Sequence, residues 1–370
     1  TQTAVFADKN VGAGKNISIT GIALDGADKD NYALQNTTAM TSASISKATL
    51  NVTGASAQDK TYDGTTVATI TGASVAALGS DDLTLNTGTA SFASKDAGVR
   101  AVTTAYTLAG ADAGNYTLVQ PTGLSATINK KTLTVKANDD AKFFGESDVA
   151  GFAGVSYSGF VAGENSTALN TTGLTVTRSN AGTETAGTYT GVLVAGGLAA
   201  TNYDFDYTSQ KGNYTIVAAN ELLVKAGNGS RLYGAAGGFT PVVQYKSGST
   251  IYTLTQTANT GNTYTFDDLR GGTATFTLVT GGAGDLSSAK LLKVGNYGVT
   301  GSGFSKTGTN FDGTAITYTG SLAVTPLQVS FATGSMNKVY DGTTTATGTV
   351  TPSNLKTSDL VDITYSSGVF

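Results

Sequence analysis

The 370-residue chain has no cysteine, no histidine and no tryptophan, only 4 prolines, and charged side chains at 13% of its positions. Each shortage closes a branch of chemistry. Without Cys or His there is no thiolate or imidazole nucleophile, no Ser-His-Asp or Cys-His relay, and no ordinary zinc, copper, haem or iron–sulfur site. Small secreted domains often rely on disulfides. A long chain free of Cys suits export across two membranes, where premature bridges would obstruct passage. No apolar run reaches the length of a membrane-spanning helix. No basic-then-apolar leader opens the sequence, which begins as if in mid-strand and reads as a segment of something longer. The net charge of −4 supplies no basic field for a nucleic-acid backbone or an anionic bilayer, so neither nucleic acid nor direct membrane insertion is expected. Glutamate is scarce as well: Glu146, Glu164, Glu184 and Glu221 stand in separate neighbourhoods, whereas a glycosidase needs two carboxylates across a cleft. No catalytic residue, no cofactor and no enzyme activity are expected.

What the chain has in quantity is glycine, 48 residues, with 17 Tyr and 14 Phe set among Thr, Ser, Asn and Ala. The aromatics argue for folded domains with small cores. Internal repeats organise the chain. Lys60-Thr61-Tyr62-Asp63-Gly64-Thr65-Thr66 returns 278 residues later as Lys338-Val339-Tyr340-Asp341-Gly342-Thr343-Thr344. Phe6 to Gly12 answers Phe92 to Gly98; after a two-residue slip, Ile22, Leu24, Asp28, Asn31, Tyr32 and Leu34 answer Tyr106, Leu108, Asp112, Asn115, Tyr116 and Leu118. Leu133-Thr134-Val135-Lys136-Ala137 with Phe144-Gly145 is echoed by Leu222-Leu223-Val224-Lys225-Ala226 with Tyr233-Gly234. These displacements make residues 1–47 the back half of one unit and 48–131 a complete copy of it. Residues 132–217 form a unit of a second kind. Residues 218–325 are its relative, with an insertion of about 19 residues somewhere in 240–290, and 326–370 are a front half of the first kind.

Within units the apolar residues alternate, as in Leu50 and Val52, Leu133 and Val135, Tyr264 and Phe266, and Leu327, Val329 and Phe331. Period two marks half-buried strands, and Thr and Tyr favour them. Asp25-Gly26, Asp63-Gly64, Asn228-Gly229 and Asp312-Gly313 read as tight turns. The pattern predicts an all-β tandem array of small β-sandwich-like domains, Ig-like or β-grasp-like, with very short linkers that make an elongated rod. Helix signals are weak: two turns over 287–294 and one over 164–169.

The Lys-x-Tyr-Asp-Gly-Thr-Thr segments at 60–66 and 338–344 resemble the signature of the YDG domain. The pattern across 133–216, Leu-x-Val-x-Ala followed by Phe-Gly, Gly-Phe, Gly-Glu, Ala-Gly-Thr-Tyr, Asn-Tyr and Tyr-Thr-Ile, resembles the MBG domain. Residues 222–325 are similar but lack a counterpart of Gly163-Glu164. The resemblance implies a repeat segment in the stalk of a large exported bacterial adhesin, notably of the filamentous-haemagglutinin-like, two-partner-secretion kind. It thereby implies a secreted, cell-surface location outside a Gram-negative outer membrane, an outer-membrane transporter for export, and adhesion or biofilm-matrix function. It brings no catalytic residues with it.

Several residues invite a binding role. Tyr62, Asp63 and Gly64, with Tyr340, Asp341 and Gly342, could hold a cation or a sugar, but a strand-to-turn device explains them better: Tyr in the core, Asp accepting N–H bonds, Gly left-handed. Asp25, Asp28 and Asp30 resemble an oxygen-rich calcium loop, and Asp139-Asp140 and Asp81-Asp82 are other calcium candidates. Tyr245, Tyr252 and Tyr264, around the insertion, offer either a carbohydrate-binding face or cross-strand pairs over a small core. Expected partners are extracellular polysaccharide, host or bacterial surface glycans, or further copies of the chain meeting edge to edge.

Overall fold

A computed structural model describes residues 3–333 and 350–362. The described residues are β-strands joined by turns, with four single-turn 3-10 segments and no α-helix. None of their segments is a helix long and apolar enough to cross a membrane. The turn anticipated over 164–169 is one of the 3-10 segments, Ser166–Ala168, where Asn165 Oδ1 accepts from the Thr167 amide at 2.9 Å. The one anticipated over 287–294 is not a helix. Leu286 and Leu292 pair across a reversal in which Ser287 N donates to Leu291 O and Lys290 takes a φ of 61°. The chain divides into two compact units, Thr1–Lys130 and Lys131–Phe370.

In the first unit, β1 (Thr3–Phe6), β2 (Gly12–Thr20) and β3 (Thr38–Ile45) form an antiparallel sheet in that order. The complete domain follows with β4 (Ala48–Asn51), β5 (Ser56–Ala57), β6 (Lys60–Thr61), β7 (Ile70–Thr71), β8 (Thr84–Asn86), β9 (Ala90–Phe92), β10 (Gly98–Thr104), β11 (Thr107–Ala109), β12 (Tyr116–Val119) and β13 (Ser125–Asn129). Its largest sheet runs β6-β13-β10-β9. The alternating Leu50 and Val52 are buried with Tyr62, Phe92, Val102, Tyr106, Tyr116 and Ile128. Two pairings are parallel: β4 with β12, Leu50 opposite Leu118, and β6 with β13, Lys60 opposite Ile128. Early strands thus lie alongside late ones.

The second unit repeats this device twice. Its first domain has β14 (Lys131–Ala137), β15 (Asp140–Phe143), β16 (Val155–Ser158), β17 (Thr175–Arg178), β18 (Gly187–Gly196), β19 (Tyr203–Asp206) and β20 (Gly212–Val217). Two sheets, β16-β14-β19 and β15-β20-β18-β17, sandwich Val135, Ala137, Val176, Leu193, Ala195, Tyr214 and Ile216. The first strand pairs in parallel with β19, and the second with β20.

The next domain keeps that order but departs from the sandwich. It comprises β21 (Glu221–Leu232), β22 (Val242–Ser247), β23 (Thr250–Thr253), β24 (Thr255–Thr260), β25 (Thr263–Asp267), β26 (Thr273–Thr280), β27 (Gly295–Thr307) and β28 (Asp312–Thr325). Here β21 stands for β14 and β15 fused, and β28 for β19 and β20 fused, so one eight-stranded sheet replaces two. Asn228-Gly229 is accordingly not a turn. Gly227, at φ 80°, makes a bulge there, and Gly320 of β28 lies so close that a Cβ on it would stand 2.5 Å from Gly227 O. Asp312-Gly313 likewise opens β28 rather than turning the chain.

The added length in 240–290 is spent on β23, β24 and β25. Segment 250–260 pairs with β22 through its first half and with β25 through its second, hinged at the buried Leu254. The sheet thereby rolls around an interior of Leu222, Val224, Tyr245, Tyr264, Phe266 and Phe276. A short pair, β29 (Phe331–Thr333) with β30 (Val350–Pro352), follows.

One polar cluster sits inside the sandwich domain. Lys142 contacts Asp148 at 2.8 Å and Glu184 at 2.6 Å; Arg178 contacts Asp148 at 3.0 Å and Glu184 at 2.5 Å. The Tyr214 hydroxyl donates to Asp148 at 2.9 Å, and the Arg178 guanidinium lies 4.8 Å from the Tyr214 ring centre. Burial alone would raise the Asp148 pKa, but Lys142, the Tyr214 hydroxyl and Arg178 outweigh it and hold the carboxyl below its ordinary 3.8. Burial would lower Lys142, and its two carboxylates hold it above 10.5 instead.

The Arg178 side chain is 2% exposed, and Arg178→Ala leaves Lys142 as the one cation between Asp148 and Glu184. It is expected to destabilise this domain by about 2–3 kcal/mol, at the low end for a buried pair because the carboxylates keep some water. The measurement is hydrogen exchange of β17, β18 and β20 amides in the whole chain. The stabilisation from Asp148 is present above pH 3.8 and lost as the pH falls through its depressed folded value; that from Lys142 is present below 10.5 and lost as the pH rises through its elevated one.

Candidate functional site

The Tyr-Asp-Gly segment is a self-contained turn. The Tyr62 ring is buried and its amide donates to Asn129 O at 2.8 Å, fixing the end of β6 to β13. Asp63 Oδ1 accepts from Lys60 Nζ and the Thr65 amide, both at 2.8 Å, and from Thr65 Oγ1 at 2.9 Å. Gly64 takes a φ of 81°. Lys60 Nζ also donates to Thr65 O and lies 5.4 Å from the Phe92 ring centre. Burial would raise the Asp63 pKa, but the bonds from Lys60 and Thr65 hold it below 3.8. This carboxylate is committed to closing a loop. The second copy, Tyr340, Asp341 and Gly342, lies outside the described residues.

The calcium candidates are placed apart or engaged by lysine. Asp25 Oδ1 accepts from the Gly26 amide, Asp28 precedes the 3-10 turn Lys29–Asn31, and Asp30 sits within it. Among the described residues no three acidic side chains converge as a metal would need. Asp81 and Asp112 both receive Lys9, at 2.5 and 2.9 Å. Asp140, nearly buried, receives Lys225 at 3.0 Å, and Asp139 accepts from the Asn213 amide at 2.9 Å.

Of the two roles open to the three tyrosines, a glycan face or cross-strand pairs over a small core, their placement is that of the second. Tyr245 and Tyr264 are 1% and 0% exposed and belong to the core of the rolled sheet. Tyr264 is satisfied internally, its hydroxyl donating to Phe239 O and accepting from Phe239 N. Tyr252 is the cross-strand partner of Tyr245 and stacks on it at 5.1 Å, capped by Arg270 at 4.3 Å from its ring centre. Period two put large rings on the inward face, where burying them outweighs any gain from offering them to a ligand.

The feature that sequence reasoning missed is the joint between residues 131–217 and 221–325. Only residues 218–220 separate β20 from β21, and Asn220, at φ 68°, donates to Lys246 O and accepts from Asp312 N. Ala141 and Phe143 of one domain pack with Val217 and Leu223 in a small buried cluster. Around it, Lys246 Nζ donates to Phe144 O at 2.9 Å and Glu146 at 2.5 Å, Asn228 donates to Ala153 O, and Asn296 donates to Tyr157 O.

The following joint uses the same parts. Tyr233 donates to Asp359 at 2.5 Å, and Lys356 lies over Gly234 so closely that a Cβ there would meet its Cε at 2.3 Å. Gly145, the equivalent glycine, lies under Lys246, with a Cβ 3.6 Å from Nζ. Phe144-Gly145-Glu146 and Tyr233-Gly234-Ala235 are thus equivalent turns, at φ 80° and 73° for the glycine, each receiving a lysine of the next domain. The turns are visible in the sequence as a repeat. Their lysines are not, because Lys246 and Lys356 come from different kinds of neighbour and share no spacing.

Beside the first joint is a cavity of about 530 Å³, lined by Tyr157, Phe160, Glu164, Asn228, Asn296 and Gln328 among others. Its floor is ordered by Tyr203, whose hydroxyl donates to Glu164 at 2.5 Å and to which burial and that carboxylate give a pKa pushed up to about 12.

The model of the YDG domain matches residues 1–39 and 46–123, and that of the MBG domain, YGX type, matches 133–215. The chain carries YDG and MBG domains. Such domains are typical of repeat regions in surface adhesin-like proteins. No curated protein and no solved structure matches the chain. In the MBG domain the YGX turn is Phe144-Gly145-Glu146, the element on which the neighbouring domain sits. In the YDG domain the named motif is the Asp63 loop closure.

Gly64→Ala in the YDG domain is expected to cost about 1 kcal/mol through its left-handed backbone, and Asp63→Ala a similar amount through lost hydrogen bonds. Both are read as faster hydrogen exchange in β6 and β13, and an unchanged rate for Asp63→Ala would contradict the loop-closing role.

Proposed function

We propose that the chain is a structural and adhesive repeat segment of a secreted bacterial surface or biofilm-matrix adhesin. In this reading it is a non-enzymatic stalk, exported through an outer-membrane transporter, that holds a distal binding region away from the cell. The observation that carries the reading is the parallel pairing of early with late strands in all three domains: β4 and β6 with β12 and β13, β14 and β15 with β19 and β20, β21 with β28. Tension on a domain pulls its first strand towards the side where the chain enters and its last strand towards the side where it leaves. For a parallel pair those pulls run along the ladder in opposite senses, so its hydrogen bonds are loaded together instead of being unzipped singly. This is what a spacer under tension requires.

Stretching the whole chain between its ends tests this. Each domain should resist as a sheared ladder, and Ile216→Pro, which removes an amide from β20 where it lies between β15 and β18, should lower the force at which the MBG domain yields by several-fold. Equal forces for both proteins would count against a role in bearing tension.

A second reading is favoured by the cavity beside the first joint. Its volume lies in the range that accommodates small ligands, and Tyr157 and Phe160 among amide and carboxylate groups suit a saccharide. A glycan array with the whole chain should then give binding that Phe160→Ala abolishes; uniform absence of binding would leave the spacer role alone.

A further inference from the structure

Beyond Gly227 the eight-stranded sheet narrows to three strands. Residues 228–232 of β21 pair with 321–325 of β28, and 295–298 of β27 pair with β28 on its other side, whereas β22 accompanies β21 only over 222–225. Alternation gives this small sheet two unlike faces. Leu322, Val324 and Tyr297 turn inward and pack with Tyr233, Phe239, Leu286 and Leu292. The opposite face is the floor of the cavity of about 530 Å³.

The floor side chains fall into rows across the strands, and the rows change in character. Asn228 and Ser321 form a polar row, Ser321 Oγ donating to Asn228 Oδ1 at 2.8 Å. Ser156 of the MBG domain lies at the same end; it is 8% exposed, and its hydroxyl bonds to no other described residue. Ser230, Ala323 and Asn296 form a middle row of short side chains, on which a ring can lie flat. The last row is Leu232 beside Thr325, with Val294 next to the Gly295–Val324 pair; here Leu232 and Val294 are half-exposed, uncovered apolar groups.

The opposite wall comes from the segment after β16, where the Phe160 ring is held edge-on to Tyr203 with centres 5.5 Å apart. The described lining has no Lys or Arg, and Glu164, its one carboxylate, accepts from the Tyr203 hydroxyl. A carboxylate, sulfate or phosphate entering here would lose water without gaining a cation. Hydroxyl groups find amides and hydroxyls instead. A plain hexose leaves the apolar row bare, whereas an acetamido substituent brings a methyl for Leu232 and Val294 and an amide for the polar groups beside them.

We propose that this cavity binds an uncharged N-acetylhexosamine residue of a glycan, its ring between Phe160 and the floor at Ser230 and Ala323, its acetyl methyl on Leu232 and Val294. The assignment rests on the saccharide reading of the cavity and adds what the cavity selects.

The test titrates the whole chain with methyl glycosides of N-acetylglucosamine, N-acetylgalactosamine, glucose, galactose and glucosamine, and with N-acetylneuraminic acid, read by saturation-transfer NMR. The two N-acetyl glycosides should bind about ten-fold more tightly than their parent hexoses, the gain from one buried methyl and one amide hydrogen bond. Their acetyl methyl should saturate most strongly. Glucosamine should gain nothing over glucose, and N-acetylneuraminic acid, which keeps the acetamido group but adds a carboxylate, should bind no better than a hexose. Leu232→Asn with Val294→Asn, both half-exposed positions, should bring the N-acetyl glycosides down to the level of the parent hexoses. Equal affinity for a hexose and its N-acetyl counterpart, selectivity that survives the double substitution, or preferred binding of the charged sugars would overturn the acetamido assignment and spare the saccharide reading. No binding of any sugar, or binding that Phe160→Ala leaves intact, would overturn both. Unaltered amide exchange in β21, β27 and β28 of the double variant checks that it acts on the site and not on the fold.

Discussion

Each of the three domains over residues 48–129, 131–217 and 221–325 is closed by a parallel clamp between its early and late strands, and most of the architecture follows from it. Antiparallel neighbours can be joined by a two-residue turn, but a parallel partner must come from far along the chain. Clamping early to late strands therefore makes each domain wait for its last residues. The intervening chain has to supply everything between, which is why the segments between clamp strands differ so much while the clamps do not. In the MBG domain the clamp is split between two sheets, β14 with β19 and β15 with β20. In its neighbour the same strands run through as β21 and β28, and the two layers become one rolled sheet.

The joints obey a second economy. A glycine in the left-handed region brings the backbone of the YGX turn within reach of a lysine from the following domain, whose ammonium then finds a carbonyl or a carboxylate. Lys9 on Asp81 and Asp112, and Lys225 on Asp140, use the same charge pairing. Individually such partly exposed pairs contribute little. Their effect comes from acting beside a buried cluster, Ala141, Phe143, Val217 and Leu223, that already excludes water.

The all-β class, the alternation that buries Leu50, Val52, Leu133, Val135, Tyr264 and Phe266, and the role of Tyr62-Asp63-Gly64 were all legible in the sequence, because each rests on a local rule: period two, strand propensity, or the left-handed glycine. Asn228-Gly229 shows where local rules stop. The dipeptide is a strong turn signal, yet in β21 it meets β28 on one side, and ladder pairing of ten residues outweighs a local preference worth far less. The same override hid the rolled sheet, whereas Tyr245, Tyr252 and Tyr264 follow the local rule and form the cross-strand and core positions that period two allowed. The joints were invisible for a different reason. They couple residues of unlike domains, so no repeat announces them.

The continuity of β21 and β28 bears on what this segment can do after it has been overstretched. A domain whose two sheets are separate can lose one and keep the other, whereas a single sheet threaded end to end by the same two strands has no intermediate stopping place. Under tension of the kind proposed above, loss of that clamp would release residues 221–325 as one length, a contour of about 350 Å at about 3.4 Å per residue.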